Sequence, residues 1–92
     1  MRGQLNMALF LSGVMTGSAA TQHRHLRQAL IMQTAIQQRW QCNNPWTWQH
    51  KHVRWFLGHH LQDRSVATRY YYHLTVLLIM KRLGNNWPLH TG

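Results

Sequence analysis

The 92-residue sequence predicts an all-α fold, a compact bundle of about four helices, from three observations. Apolar residues recur at three- and four-residue spacing through most of its length. No β-branched run with period two occurs anywhere. Short polar clusters with Gly or Pro cut the chain into helix-sized pieces.

The first piece is Gln4 to Met15, with Leu5, Met7, Ala8, Leu9, Phe10, Leu11, Val14 and Met15. A helix apolar on most sides is expected to be buried between others. Thr16-Gly17-Ser18 ends it. Ser18 then suits the N-cap of a longer helix, Ala19 to Trp40. Leu26, Ala29, Leu30, Gln33, Ile36 and Trp40 are its expected core stripe. His23, Arg24, Arg27, Gln28, Gln38 and Arg39 fall largely elsewhere. Asn43-Asn44-Pro45 turns the chain.

Thr47 is placed to cap a third helix running to about Leu61. Val53, Phe56, Leu57 and Leu61 make its inner face, and Lys51, Arg54 and Gly58 its outer one. After Gln62-Asp63-Arg64, Ser65 suits the N-cap of a fourth helix, Val66 to Leu83. Its expected inner stripe is Tyr70, Tyr71, Leu74, Leu77 and Leu78, with Lys81 snorkelling at the end. Gly84 stands where a helix stop belongs, behind Lys81 and Arg82, which suit the negative end of the dipole. Residues 85–92 form a tail or the start of a linker, because Pro88 blocks further helix. The whole, 1–92, is expected to be one domain.

Charge bounds the function. Ten Lys and Arg face one acid, Asp63, for a net charge of +9, and eight histidines add more in mild acid. The basic residues are scattered through helical segments, so a folded positive surface is expected rather than a basic tail. Such a surface suits a polyanion. One carboxylate side chain excludes paired-carboxylate hydrolysis and starves two-metal phosphoryl chemistry of ligands. Asp63 has no strand-Ser-helix context for a nucleophile triad. An enzyme is not expected, nor a cofactor.

One cysteine, Cys42, excludes an intramolecular disulfide and a multi-thiolate zinc site. His23 and His25, and His50 and His52, are two apart, which splays them on a helix. His59 and His60 are adjacent. No metal site is expected, and the histidines read as solvated or DNA-facing. Trp40, Trp46, Trp48 and Trp55 read as a lid packing the central turn, with one or two rings exposed. Trp87 is expected to fold back on the core.

No stretch approaches the roughly 18 apolar residues of a spanning helix, so no membrane partner is expected. Residues 1–20 also admit a short secretory signal cleaved near Ser18-Ala19-Ala20. The preferred reading is cytoplasmic.

The residues best placed for function lie between Thr47 and Gly84. Ser65, Thr68, Arg69 and Tyr72 open the fourth helix, where free N–H groups and a positive dipole end suit a phosphate. Arg64 precedes them. Lys51 and Arg54 extend the positive surface from the third helix, and Arg24 and Arg27 from the second. Contacts of this kind position a protein on DNA, and an arginine such as Arg69 can reach a guanine edge.

The order Thr47, His52-Val53, Phe56-Leu57, Ser65, Thr68-Arg69, Tyr72, Leu74 and Leu83-Gly84 resembles the N-terminal, SAM-like core-binding domain of tyrosine recombinases (phage integrases). Thr21, Arg24 and Trp40 fit that family's first helix, so the resemblance spans about 21–87. It implies a SAM-like four-helix bundle that clamps double-stranded recombination-site DNA. The family's catalytic Arg-His-Arg set and nucleophilic tyrosine lie in a separate C-terminal domain, for which this chain has no room. Tyr70, Tyr71 and Tyr72 are therefore not read as nucleophiles. The resemblance leaves two origins open: a domain of a longer parent, with that catalytic domain as its partner, or a stand-alone relative. Two further readings compete. One is a helical interaction or regulatory module of a mobile element, without DNA contact. The other is a secreted or membrane-surface cationic protein, cleaved after Ala20. Oligomeric state is left open.

Overall fold

The structure, a computed structural model, describes residues 6–85 and residue 87. It is all-helical: α1 is Met7–Leu11, α2 Ala19–Trp40, α3 His50–Trp55 and α4 Val66–Leu83. A 3-10 turn, Pro45–Thr47, precedes α3, and a π-helical turn, Phe56–His60, follows it directly. No strand occurs among the described residues.

The caps explain the boundaries. Ser18 and Ser65 each accept the amide of the residue three ahead, Thr21 and Thr68, at 3.2 Å. Gly84 closes α4 in the left-handed region, at φ 75°. Both ends of α4 thus fall where Ser65 and Gly84 predict. The end of α2 is less ordinary: Gln41, a residue with a side chain, takes the left-handed cap at φ 56°.

Two elements begin elsewhere than expected. α1 has five residues, so the expected long buried helix is one and a half turns followed by a turn. Met7, Phe10 and Leu11 are buried, but Leu9 is 69% exposed. Gln4 and Leu5 lie outside the described residues, as do the positions after Trp87. Thr47 does not cap α3. Asn44 organises a separate turn, accepting the Trp46 amide on Oδ1, and Pro45 occupies its first position. Thr47 Oγ1 donates back to the Asn44 carbonyl. α3 then starts after Gln49, whose amide donates to His52 Nδ1 at 2.9 Å.

Inside, Met7, Leu11, Met32, Ile36, Val53, Phe56, Leu61, Val76 and Ile79 form one core contributed by all four helices. The π turn serves it. Leu61 N–H bonds the Phe56 carbonyl five residues back, and the wider turn buries Phe56, Leu57 and Leu61 together. The expected inner face of α3 is thereby met. The face of α4 is rotated from expectation, whereas α2 keeps Ala29, Gln33 and Ile36 buried and Leu26 and Trp40 against the core as expected and adds polar members. α2 buries His25, Gln28, Ala29, Met32, Gln33, Ala35 and Ile36, leaving Leu30 outside. α4 buries Tyr72, Thr75, Val76, Ile79 and Met80, leaving Tyr70, Tyr71 and Leu77 exposed. The cause is polar. Thr75 Oγ1 sits 2.9 Å from His25 Nδ1 and donates to Gln28 Oε1 at 2.7 Å. Satisfying these groups turns both helices toward one another.

Aromatic rings close the ends. Trp40 meets His52 and Trp55 edge-on, with centroids at 4.7 and 5.2 Å. Trp48 is buried and its Nε1 donates to the Cys42 carbonyl. Trp46 stands edge-on to Phe10 at 4.9 Å, half exposed. Trp87 packs against the core and stacks on His50. The lid reading of the tryptophans fits, with Trp46 as its exposed member. Arg82 joins this corner, donating to the Phe10 carbonyl and lying 4.7 Å from the Trp46 ring.

Candidate nucleic-acid interface

The contacts between α2 and α4 fix their relative direction. Arg24 meets Tyr71, and one turn later on both helices Gln28 meets Thr75. The two helices therefore run the same way, and both begin at the same end of the molecule. Their starts are built alike. Ser18 and Ser65 each bond the amide and the hydroxyl of the threonine three ahead. The cap leaves the first amides of each helix, at Ala19, Ala20, Val66 and Ala67, without intrahelical acceptors. Two positive dipole ends thus share one end of the bundle.

Cations surround that end. Arg24 lies over the Tyr71 ring at 4.5 Å. Its Nε is buried and has no hydrogen-bond partner. Burial pushes the Tyr72 phenol above its ordinary pKa, while Arg64 and Arg27 pull it down. Both guanidinium groups are therefore close enough to Tyr72 to act on its charge. Arg27, Arg64, Ser65 and Arg69 are exposed, and Thr68 is half-buried. The structure thus gathers Arg24, Arg27 and Arg64 around the start of α4, which carries Ser65, Thr68 and Arg69.

Three expected site residues stand differently. Tyr72 is only 8% exposed and packs its ring 5.3 Å from Phe56. It supports the surface from beneath rather than forming it. Lys51 and Arg54 are exposed on α3, but α3 starts beside Trp87, past the C-terminal end of α4. The start of α3 therefore sits on the Trp87 side, and this segment meets the first half of α4 only at Phe56, whose ring packs on Tyr72.

The histidines divide. His25 and His52 are buried, against the expectation that all were solvated or DNA-facing. Burial lowers both pKa values, with Arg24 and Lys51 adding to the effect at His25 and His52 respectively. His52 Nδ1 accepts the Gln49 amide, which requires it to be unprotonated. Neither ring adds to the positive surface at neutral pH. His23, His59 and His60 are exposed. No group of three or more His, Cys, Asp or Glu side chains suited to a metal ion occurs among the described residues. Cys42 is half-buried, with Sγ 3.0 Å from Thr47 Oγ1. No helix among the described residues is long and apolar enough to cross a membrane.

What the sequence reading missed is that α2 and α4 start together. The signal was present in Ser18-Ala-Ala-Thr21 and Ser65-Val-Ala-Thr68, two cap sequences of one pattern. Compared with known proteins, the chain matches no family model, no curated protein and no solved structure.

Proposed function

We propose that this chain is a non-catalytic DNA-binding module of the tyrosine-recombinase core-binding type, which holds duplex DNA at the shared start of α2 and α4. One observation carries the reading. Two capped helix starts and the guanidinium groups of Arg24, Arg27 and Arg64 occupy one end of a chain with a net charge of +9. Phosphates gain there from amides, dipoles and fixed cations together. Arg69, one turn into α4, is the candidate for a base edge. The SAM-like topology, the placement in DNA integration and recombination, and a catalytic domain as partner belong to this proposal and rest on the order of residues from Thr21 to Gly84.

The test is a backbone-amide NMR titration with a short mixed-sequence duplex at low and moderate salt. Amides of 18–27 and 64–72 are expected to shift, and the shifts to fade as salt rises. Arg64→Ala and Arg27→Ala should each lower the salt slope by about one phosphate's share, roughly 0.9 log unit per log salt. Lys51→Ala should change the slope less. Arg69→Ala should cost about 1–3 kcal/mol with a preferred sequence if it reads a base. An unmoved α4 start at low salt would reject the proposal.

A further inference from the structure

We propose that the solvent side of α2 is a docking groove for an acidic amphipathic helix of a partner protein. The inference shares Arg24 and Arg27 with the proposed DNA surface, but its distinguishing feature is an apolar pair, Leu30 and Ile31, that a duplex does not use. Leu30 and Ile31 are 45% and 42% exposed, adjacent on a helix whose Ala29, Met32, Ala35 and Ile36 are buried. With Ala35 and His60 they border an open groove of about 340 Å³. Ala35 is small, which lets a second backbone approach closely. His60 is held in place by stacking on Phe56 at 5.0 Å.

The groove continues toward the start of α2. Arg27 borders both it and a second depression of about 490 Å³, which Arg24 also lines. Arg24 and Leu30 are six residues apart, about 9 Å along the axis. The face is therefore cationic in its first half and apolar in its second. Apolar anchors spaced by one turn would fill the second half, as in helix-in-groove recognition. Carboxylates on the preceding turns would meet Arg24 and Arg27. The chain has one acidic side chain, Asp63, to set against its ten Lys and Arg. A second copy of the chain is disfavoured because it brings +9 against +9.

The probe is a labelled synthetic helical peptide of about 16 residues. It carries glutamates in one half and leucines at i, i+3, i+4 and i+7 in the other, and its control carries lysine for every glutamate. Saturable binding of the acidic peptide at physiological salt is expected, with none for the control. Ile31→Glu should weaken it at least about tenfold, and Arg24→Gln with Arg27→Gln should do likewise. Circular dichroism checks that each variant keeps its helix content, and Thr34→Glu on the same exposed face serves as a second variant. DNA affinity of Ile31→Gln, which adds no charge, should be unchanged while its peptide binding falls, so failure of the groove and failure of the DNA reading are read separately. Absence of peptide binding up to about 1 mM, or binding unaffected by Ile31→Glu and Thr34→Glu, would overturn the proposal. So would a concentration-dependent doubling of mass abolished by Ile31→Glu, which would give the groove to a second copy.

Discussion

Thr75 offers one hydroxyl hydrogen to the core, and it goes to Gln28 Oε1. With its hydrogen so used, Thr75 Oγ1 must accept from His25 Nδ1, so the ring carries its hydrogen on Nδ1. Thr75→Val keeps the shape and leaves a buried N–H and a buried carbonyl unpaired. That should cost about 1–3 kcal/mol, measurable by urea denaturation. His25 and His52 also make stability depend on pH. Burial lowers both below the free value of 6.5, so the unfolded chain takes up these protons first. Stability is therefore full above about pH 6.5 and falls as pH drops through the two folded values. His52→Asn, whose Oδ1 replaces the Nδ1 acceptor without titrating, should flatten that fall when denaturation is repeated between neutral and mildly acidic pH. These residues show why the sequence misplaced the face of α4 and Leu30 on α2. Leu30 on α2 and Tyr70, Tyr71 and Leu77 on α4 look like core by hydropathy, but a His, a Gln and a Thr with mutual hydrogen bonds take inner positions. Hydropathy spacing registers apolar side chains and is blind to a polar trio satisfied 47 and 50 residues apart in the chain.

Elements were legible where a local cap defines them. Ser65 and Gly84 mark α4 without knowledge of its neighbours, because both act on backbone groups within one turn. Ser18 marks the start of α2 in the same way, but its end depends on Gln41 tolerating φ 56°. A side chain in that region is unfavourable by about 1 kcal/mol. Gln41→Gly should therefore stabilise the chain by several tenths to about 1 kcal/mol, read as a higher denaturation midpoint with an unchanged slope. Gly84→Ala should do the reverse: at φ 75° a methyl group meets no neighbour within 4 Å, so backbone strain alone is at work. The start of α3 was not legible. Thr47 is a good cap by type, but Pro45 two residues earlier nucleates a 3-10 turn in which Thr47 is the third residue. The choice between these two local solutions is made by Trp48, which is buried and draws the turn against the core. The candidate site follows the same division. Ser65, Thr68 and Arg69 were legible from the cap. That Arg24, Arg27 and Arg64 join them, and that Lys51 does not, depends on the packing of α2 along α4.

At the scale of the whole molecule the charge acts in two opposed ways. A net charge of +9 with a Cα radius of gyration of 12.5 Å places like charges within one or two Debye lengths of each other at low salt. Folding concentrates them, so the free protein is destabilised by its own field. Arg24, Arg39 and Arg82 relieve part of this by lying over aromatic rings, but Arg27, Arg54, Arg64 and Arg69 are exposed. Added salt screens the repulsion and should raise the melting temperature of the free chain. A gain of 1 kcal/mol corresponds to about 4–8 °C for a domain of this size. The same salt should weaken DNA binding, because counterions released into a more concentrated solution gain less entropy. Duplex DNA at low salt should then raise the melting temperature by mass action, and that rise should vanish at high salt while the free protein continues to gain. Paired thermal scans with and without duplex, across a salt series, separate the two effects. Melting curves that rise with salt and show no added gain from DNA at any concentration would leave the repulsion argument standing and remove the polyanion as its physiological relief.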